Sequence, residues 1–416
     1  MIFISVTVLV YWFFRTCQQL IGLFQTKKFI FREQKQNLDL DLSFNKVELN
    51  ILIPIFQEEK IILDTFNYFE KILNELNLKN YVKLIFVSTD REAIFQKNRT
   101  VKKLQEILKT PHQNIEIINY PNKDGNKAKQ LNFAIKKLNS ESEKNNKYFA
   151  IFDADSKPQI QAFRYFFNAL TKNHDLIFQM PTLFVQNIDE VSYSNKANAI
   201  FQTRRVLAFE IPTWLNKKNL NYLVGHGLFL NSKIFEKYNI YFNEKTITED
   251  LIFGYETNLR NIYPRIIPFF DIATVPKSIF LNIKQTARWF SGDLFFLKNI
   301  NHNFNLKIFF RYFHIFEWIF GSILIIIISV FALFTKNLLL ILLILLILFL
   351  YLIILHIFAL KFIQFFYENK KINFIKMIYG LIVKSSTNSF GPVYGIFREF
   401  LSILKIKKYF FEKTER

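Results

Sequence analysis

Short apolar runs and longer amphipathic stretches alternate through the middle of the chain, whereas both flanks are strongly apolar. Runs rich in β-branched and aromatic residues predict four strands, at 48–55, 82–88, 115–119 and 148–153. The spacing of apolar residues predicts helices near 59–77, 93–109, 126–139 and 159–172. Because strands alternate with helices, we expect an α/β domain over residues 45–300 with a mostly parallel sheet flanked by helices.

A long apolar stretch follows this domain. Every residue from Leu338 to Leu360 is apolar or aromatic except His356, and such a length crosses a hydrocarbon core of about 30 Å. A second apolar run, Phe313 to Phe334, precedes it, and only Thr335 to Asn337 lie between the two runs. We therefore predict a transmembrane helical hairpin over residues 308–361.

The N-terminal apolar run, Met1 to Phe14, ends at Arg15. The run is short for a full span unless the Arg15 side chain reaches back to the membrane interface. A cleaved signal peptide is the competing interpretation, but the basic start and the small-residue cleavage site are missing. We predict an uncleaved membrane anchor over residues 1–25.

Basic residues follow the predicted spans and indicate their orientation. They are Lys27, Lys28, Arg32 and Lys35 after the anchor, and Lys361, Lys370, Lys371 and Lys376 after the hairpin. Because basic residues favour the cytoplasmic side, this bias places the central domain in the cytoplasm. The membrane we expect is the bacterial inner (plasma) membrane. The tail, 372–416, mixes apolar and charged residues and is expected to form interfacial or re-entrant helices.

The composition limits the kinds of molecule that the chain is expected to bind. The net charge of +20 suits anionic lipid headgroups or a phosphorylated small molecule. Nucleic acid is not expected, because the chain shows neither zinc-finger spacing nor an RNA-binding aromatic signature. The chain has a single cysteine, Cys17, which excludes an internal disulfide and a multi-cysteine metal site.

Acidic residues follow two of the predicted strands. The fourth strand runs into Asp153-Ala154-Asp155, and the first ends at Gln57-Glu58-Glu59. Ligands bind beyond the carboxyl ends of parallel strands, so these residues are candidates for a site. Two carboxylates one residue apart are hard ligands suited to Mg²⁺ or Mn²⁺ bridging a diphosphate. The alternative is an acidic turn with no ligand.

Two further segments carry candidate chemistry. Thr248-Glu249-Asp250 precedes an apolar helical start, where the alternative is a capping role for Thr248 with the acids complementing the helix dipole. Gln285-Thr286-Ala287-Arg288-Trp289 places an amide, a fixed cation and an indole close together on a helix. Arginine binds phosphate bidentately, and the alternative is an interfacial anchor.

The order of these segments along the chain resembles that of a known protein family. ILIPIFQEE, GNKAKQLNFAI, FDADS, VGHGLF, TEDL with Gly254, QTARW and an apolar hairpin follow one another. In this order they resemble family-two glycosyltransferases, and in particular the branch of cellulose, chitin and hyaluronan synthases. The resemblance covers residues 48–300 and the hairpin, and it implies the GT-A fold.

The resemblance also implies roles for individual residues. Asp153 and Asp155 would hold the metal ion and the donor diphosphate, and Asp250 would be the general base of an inverting single displacement. Lys127 and Arg288 would stabilise the leaving diphosphate. The remaining candidates for substrate binding are Gln285 and Trp289 near the diphosphate and acceptor sugar, His226 and Glu249 near the acceptor, and Glu58.

One segment departs from the family pattern. Where family members have an aspartate pair after the second strand to contact the nucleoside, this chain has Ser88 and Thr89. Asp90 and Glu92 follow shortly afterwards and are possible substitutes. The GNKAKQLN segment fits the family's basic loop before a helix, and its alternative is an ordinary solvated turn.

The expected function is sugar transfer from a nucleotide-sugar donor, UDP-linked by resemblance with GDP left open, to a growing polysaccharide at the cytoplasmic membrane face. Single transfer to a lipid-linked acceptor is the alternative, and a non-catalytic membrane scaffold is the third hypothesis. Three predicted spans are few for a polymer channel, so a homo-oligomer or partner subunits would be required. Membrane lipids are further expected partners.

Overall fold

The computed structural model describes residues 2–35, 47–78, 81–96, 99–108, 114–140, 146–172, 174–217, 220–299, 305–366 and 373–403. The helices are α1 (Ile2–Gln34), α2 (Ile62–Glu75), α3 (Arg91–Gln96), α4 (Arg99–Ile107), α5 (Lys127–Ser140), α6 (Ile160–Lys172), α7 (Tyr193–Arg205), α8 (Ile211–Asn216), α9 (Lys233–Glu236), α10 (Glu249–Leu259), α11 (Ile279–Asn299), α12 (Leu306–Phe334), α13 (Leu338–Leu348), α14 (Leu355–Phe366), α15 (Phe374–Thr387) and α16 (Phe390–Ile403). The strands are β1 (Glu48–Pro54), β2 (Val82–Thr89), β3 (Ile115–Tyr120), β4 (Lys147–Ile151), β5 (Lys157–Pro158), β6 (Ile177–Gln179), β7 (Thr182–Phe184), β8 (Leu228–Asn231), β9 (Arg265–Ile266) and β10 (Asp271–Ala273). Two π-helical turns, Val206–Glu210 and Phe349–Ile354, follow α7 and α13.

The chain forms two compact units. The sheet unit consists of Arg32–Thr182 and Asn221–Ala273. The helical unit consists of Met1–Phe31, Leu183–Leu220 and Thr274–Arg416. Two parts of the predicted domain 45–300, residues 183–220 and 274–300, therefore belong to the helical unit.

The main sheet of the sheet unit has the strand order β3-β2-β1-β4-β8-β6-β9. Strands β3, β2, β1 and β4 are parallel neighbours, whereas β8 is antiparallel to both β4 and β6. The four strands expected from the sequence are present within two residues of their predicted ends. Because β8 is reversed, its amino end lies at the same edge of the sheet as the carboxyl end of β4.

Alternating side chains of the central strands fill two cores, one on each face of this sheet. In β1, Leu49, Ile51 and Ile53 pack on one face and Leu52 on the other. In β4, Ala150 belongs to the first face and Phe149 to the second, as the two-residue period of a strand requires. A strand that is apolar on both faces must be covered on both, which explains why the central runs read as continuously apolar in the sequence.

Two helices, α3 and α4, correspond to the helix predicted at 93–109, and residues 97, 98 and 109 of that prediction lie outside the described residues. The carboxylate of Glu92 in α3 accepts hydrogen bonds from the backbone amide and the hydroxyl group of Thr100 in α4. Glu92 also accepts a hydrogen bond from the backbone amide of Gln57, 3.3 Å away, and thereby holds the loop after β1.

In the helical unit, two helices are long and apolar enough to cross a membrane. They are Leu306–Phe334 and Leu338–Phe366, and the second includes the π-helical turn Phe349–Ile354. Between them Lys336 adopts a left-handed conformation with φ 51°, and Asn337 caps α13 by accepting a hydrogen bond from the amide of Leu340. These two helices adjoin and extend beyond the limits of the predicted hairpin, 308–361.

The N-terminal helix differs from the expected short anchor. It continues to Gln34, and Arg15 lies within it. The guanidinium of Arg15 lies 3.3 Å from the carboxylate of Glu317 on α12, so the arginine has an acidic partner on a neighbouring helix. The ring of Trp12 occupies the place where a side chain at Gly321 would project, 2.7 Å from an ideal Cβ. The helix α1 therefore packs against α12 inside the helical unit.

The predicted tail, 372–416, contains two helices, α15 and α16, up to residue 403. Residue 372 and residues 404–416 lie outside the described part of the chain. Gly391 and Gly395 on α16 face Thr286 and Ala287 on α11 so closely that a Cβ would lie 2.5 Å and 3.2 Å from the nearest atoms. Small residues thus allow α16 to pack directly on the helix that carries the QTARW segment.

Candidate active site

The candidate site of the sheet unit lies at the carboxyl edge of the main sheet. Asp153 and Asp155 follow β4, and both are half-buried. The α5 helix begins in the connection after β3, and Lys127 is its first residue. The reversed strand β8 brings Gly225 and His226 to the same edge. The predicted placement of functional side chains beyond the carboxyl ends of the strands holds for these residues.

Lys127 joins several of the predicted residues. Its ammonium group donates to Asp153 Oδ1 at 2.7 Å and to the carbonyl oxygen of Gly225 at 2.8 Å. Glu249 Oε1 lies 3.8 Å from the same nitrogen. Burial lowers the pKa of Lys127, but the charges of Asp153, Glu249 and Asp250 outweigh it and raise the pKa overall. Lys127 is therefore charged at neutral pH and holds the acids together, and the solvated-turn interpretation of its segment was wrong.

Local contacts explain why Lys127 is held at this position. Asn126 caps α5, since its side-chain oxygen accepts a hydrogen bond from the backbone amide of Lys129 at 2.9 Å. Gln130, one turn into the helix, donates to the carbonyl oxygens of Ile55 and Val87 at 3.0 Å and 2.7 Å. Because Ile55 directly follows β1 and Val87 lies within β2, the start of the helix is held against these two neighbouring strands.

Asp250 and Lys127 both lie close to Gly225. An ideal Cβ at Gly225 would lie 2.8 Å from Asp250 Oδ2 and 3.1 Å from Lys127 Nζ, so only glycine leaves room for both groups. Asp250 Oδ1 accepts a hydrogen bond from the backbone amide of Leu251 at 2.8 Å. One carboxylate oxygen is thus fixed by its own helix, and the other faces the glycine beside the lysine.

The helix that carries Asp250 makes backbone contact with the segment that leads to Gly225. At Gly254 a Cβ would lie 2.2 Å from the amide nitrogen of Leu223. Thr248, at the start of this helix, makes no side-chain cap, and its hydroxyl lies 3.1 Å from that of Thr246. The alternative therefore holds in part, because Thr248 is at the N-cap position without a side-chain cap, and Glu249 and Asp250 lie in the first turn of the helix.

Glu249 differs from Asp250 in its surroundings. Its side chain is buried, and this burial, opposed by Lys127 and reinforced by Asp250, raises the pKa of Glu249 to about 7. A carboxyl group whose pKa is raised in the folded state contributes stability below its ordinary pKa and loses it as pH rises through the folded value.

We therefore expect the stability of the protein to fall as pH rises from 4.5 to 7, by an amount on the order of 3 kcal/mol from this group. Glu249→Gln removes the titrating group and should remove that part of the pH dependence. Melting temperatures of the unmodified protein and of Glu249→Gln, measured from pH 4.5 to pH 7, check both expectations. Glu236→Gln, at an exposed glutamate, is the control. A Glu249→Gln profile parallel to that of the unmodified protein would contradict the expectation.

A second hydrogen-bond chain runs behind Asp153. His226 Nδ1 lies 2.6 Å from Asp271 Oδ2, and Ser156 Oγ donates to the same carboxylate oxygen at 2.8 Å. Ser156 Oγ in turn accepts a hydrogen bond from the backbone amide of Asp153 at 3.2 Å. Burial lowers the pKa of His226, but the hydrogen bond and charge of Asp271 raise it overall. His226 therefore belongs to the same group of residues as the DxD segment.

The side chains after β2 serve mainly to hold the sheet edge. Ser88 Oγ donates to Asn119 Oδ1 at 2.8 Å, and Thr89 Oγ1 donates to the carbonyl oxygen of Asn122 at 3.3 Å. Asp90 Oδ1 accepts a hydrogen bond from Asn119 Nδ2 at 2.8 Å. Since Glu92 holds the loop after β1, as described above, it occupies a structural position.

Glu58 lies at the same edge, in the loop after β1. Its backbone amide donates to Thr100 Oγ1 at 3.0 Å, and its carbonyl oxygen accepts from the amides of Ile61 and Ile62. Nearby, the guanidinium of Arg91 lies 5.0 Å from the centre of the Phe56 ring and donates to the carbonyl oxygen of Gly125 at 3.3 Å. These contacts place a cation against the aromatic ring of the loop that contains Glu58.

Three predicted site residues belong to the helical unit. Gln285, Arg288 and Trp289 lie on α11, all of them half-buried. The guanidinium of Arg205 lies 5.8 Å from the Trp289 ring centre. The roles expected for these three residues from the resemblance stay predictions.

Comparison with known protein families identifies the family to which this chain belongs. Residues 148–362, which make up more than half of the chain, match the family described as glycosyl transferase family group 2. The chain belongs to this family. Residues 50–238 also match the family described as glycosyl transferase family 2.

Two solved glycosyltransferase structures are compared with this chain. A mannosyltransferase from Pyrobaculum calidifontis, PcManGT in complex with GDP-Man and Mn²⁺, is similar over 97% of this chain and 99% of its own, with 12% sequence identity and a TM-score of 0.51. Residues 1–349 of S. aureus TarS in complex with UDP align over 62% of this chain and 67% of their own, with 15% identity and a TM-score of 0.39. A search of curated proteins finds no match. The expected GT-A-like α/β fold is confirmed.

The residues of this transferase fit a divalent metal ion at the DxD segment. The two carboxylates of Asp153 and Asp155 are hard oxygen donors at the carboxyl edge of the sheet, and Mg²⁺ in proteins is commonly held by one or two carboxylates together with substrate phosphates. Asp153 Oδ1 is bonded to Lys127, which fixes the carboxylate in place. In the described part of the chain, no group of three or more His, Cys, Asp or Glu side chains is arranged around a single metal position.

Sequence reasoning missed several residues that hold this transferase's site. Asp271 is fully buried, and Gln179 donates to the carbonyl oxygen of His226 at 3.1 Å and accepts from the amide of Val224 at 3.0 Å. A single aspartate within the apolar segment PFFDIATV was the available signal for Asp271, because a buried carboxylate requires a partner. No comparable signal identified Gln179 or Ser156.

Proposed function

We propose that the chain transfers a sugar with inversion from a nucleotide-sugar donor to an acceptor hydroxyl group, at the cytoplasmic face of a membrane, to extend a glycan. The observation that carries this proposal is the convergence of Asp153, Glu249 and Asp250 on Lys127 at the carboxyl edge of the sheet. Membership of glycosyl transferase family group 2 and the two long apolar helices support it.

Asp250 is the proposed general base. Its Oδ2 accepts the proton of the acceptor hydroxyl while the hydroxyl oxygen attacks the anomeric carbon, and the bond from that carbon to the nucleotide diphosphate breaks. The hydrogen bond from the backbone amide of Leu251 to Oδ1 orients the carboxylate, and Oδ2 faces the glycine beside Lys127. A single displacement of this kind inverts the anomeric configuration.

Asp155 and Asp153 are the proposed holders of a Mg²⁺ or Mn²⁺ ion. When bound, the ion would neutralise part of the charge that develops on the leaving diphosphate. The presence of Mn²⁺ with GDP-Man in the similar mannosyltransferase is consistent with this assignment. The donor expected from the resemblance is a UDP-sugar, and a GDP-sugar is the alternative to be compared with it.

Asp155→Ala should weaken metal-dependent nucleotide binding by at least about tenfold, because it removes one of two hard ligands. Calorimetric titration of the purified protein with UDP and with GDP, each with Mn²⁺ and with EDTA, measures the effect. Asp175→Ala is the matched control, since Asp175 pairs with Arg265 at the opposite edge of the sheet. Unchanged binding by Asp155→Ala would reject the metal role.

Product analysis tests the transfer itself. Membranes that contain the chain are incubated with labelled UDP-sugars and GDP-sugars, and the label is recovered either as a polymer or as a lipid extractable into organic solvent. Polymer supports the proposed extension, and an extractable lipid supports single transfer to a lipid-linked acceptor. If no donor releases nucleotide diphosphate with Mg²⁺ or Mn²⁺, the proposed enzyme activity is wrong and the scaffold hypothesis gains.

A further inference from the structure

A group of basic side chains lies inside the helical unit, at the end of α7. Arg204 and Arg205 are the last two residues of that helix, and Lys384 approaches them from α15. The Phe201 ring contacts two of the three cations, with its centre 4.6 Å from the Arg204 guanidinium and 5.4 Å from the Lys384 ammonium. We call Arg204, Arg205 and Lys384 the basic cluster.

Two tryptophans flank the cluster. The guanidinium of Arg205 lies 5.8 Å from the ring centre of Trp289 on α11 and 5.6 Å from that of Trp318 on α12. The α12 helix is one of the two that are long and apolar enough to cross a membrane. Tryptophan is enriched where protein, headgroups and hydrocarbon meet, so its presence indicates an amphipathic neighbourhood.

The charges of the cluster are costly in the folded protein. Arg204 and Lys384 are buried, and the Nε atom of Arg204 has no hydrogen-bond partner among the described residues. Lys384 donates to Asn282 Oδ1 at 3.2 Å, and Arg205 lies 3.5 Å from the carboxylate of Glu210. Burial and the positive charge of Arg205 lower the pKa of Lys384 to about 7.

Irregular helix geometry also concentrates here. The π-helical turn Val206–Glu210 begins directly after Arg205. The second π-helical turn, Phe349–Ile354, contains Tyr351, whose ring centre lies 4.9 Å from the Arg204 guanidinium. Such turns cost stability and occur frequently at functional sites, and both of these adjoin the same pair of arginines.

We propose that the basic cluster binds the phosphate group of an anionic lipid. A phosphate accepts bidentate hydrogen bonds from guanidinium groups and an ion pair from an ammonium group, and it would offset the mutual repulsion of Arg205 and Lys384. Basic pockets between membrane helices bind phosphorylated lipid headgroups, and the tryptophans suit the region where the headgroup joins its apolar chain. The lipid is either a membrane phospholipid or the phosphate-bearing lipid of an acceptor.

Thermal unfolding of the full chain in neutral detergent tests the proposal without any donor sugar, so its outcome is independent of the proposed transfer. The probes are geranyl phosphate, dioctanoyl phosphatidic acid, inorganic phosphate and the uncharged alcohol geraniol. Binding to the folded state raises the melting temperature. We expect the two lipid phosphates, or one of them, to raise it in a saturable manner, and geraniol and inorganic phosphate to have little effect at equal concentrations.

The variants are Lys384→Met and Arg205→Gln, with Lys376→Met as the control because Lys376 is exposed on the same helix as Lys384. Each cluster variant should raise the half-saturating lipid phosphate concentration at least about tenfold, whereas the control should leave it unchanged. Without ligand, Lys384→Met should melt no lower than the unmodified protein, since it removes a buried cation beside Arg205. If Lys384→Met does not fold, Arg205→Gln provides the binding comparison.

The pattern of responses identifies the source of the phosphate. A response to geranyl phosphate alone assigns the cluster to a lipid-linked acceptor, and a response to phosphatidic acid at equal or lower concentration assigns it to a membrane phospholipid. The proposal is overturned if no lipid phosphate shifts the melting temperature, if geraniol or inorganic phosphate acts as strongly, or if the cluster variants respond as the control does.

Discussion

Asp250→Asn is expected to lower the turnover number by about 10² to 10⁴-fold while the dissociation constant for the nucleotide changes less than about threefold. The asparagine keeps the volume of the side chain, and its carbonyl oxygen still accepts the hydrogen bond from Leu251. Its amide group in the place of Oδ2 has no capacity to take a proton. Initial rates over a range of donor concentrations, together with calorimetric nucleotide binding, measure the two quantities separately.

Glu256→Gln, on the same helix as Asp250, is the matched control and should retain activity. A parallel loss of nucleotide affinity and turnover in Asp250→Asn would show that this carboxylate serves binding. Full activity in the variant would exclude Asp250 as the base and direct attention to Glu249, whose raised pKa of about 7 also suits proton transfer.

The second large effect is expected from Lys127→Met. The substitution removes a cation that contacts both Asp153 and Glu249, and it leaves the buried carboxylate of Glu249 and the half-buried carboxylate of Asp153 close to Asp250. Breaking a buried ion pair by removal of one partner costs about 3 to 5 kcal/mol. We expect a clear fall in melting temperature and loss of transfer activity. Because the isolated carboxylates repel one another, the fall should be smaller at acidic pH, where they are protonated.

Lys129→Met is the control for this experiment. Lys129 lies on the same helix, close to Lys127, and its ion pair with Asp124 is at the surface. Removing a surface pair of this kind typically costs less than about 1 kcal/mol. Equal melting temperatures for the two variants would contradict the central position assigned to Lys127.

The strands of the sheet were predictable because each is a short run with a clear composition. The reversal of β8 was not, because the segment Leu228–Asn231 carries no mark of its direction and gains its neighbours from residues far along the chain. The same reversal brings Gly225 to Asp250. The local pattern around VGHG therefore identified a candidate segment, whereas its contacts depend on the sheet order.

For the candidate site, the acids were predictable as types of residue at strand ends, and their partners were not. Lys127 was expected to contact phosphate, but its bonds to Asp153 and Gly225 follow from tertiary packing. Asp271 is separated from His226 by 45 residues, so no local spacing joins them. In the helical unit, the partner of Arg15 is Glu317, 302 residues away, which explains why a position at the membrane interface was expected instead.

The backbone contact at Gly254 has a consequence for how the site tolerates motion. With no side chain between α10 and the segment before Gly225, no rotamer change at this crossing alters the spacing of the two main chains. A displacement of one main chain at this crossing is expected to move the other, so Asp250 and the loop at Gly225 should move together. We therefore expect the distance between Asp250 and Gly225 to depend little on how the surrounding side chains pack.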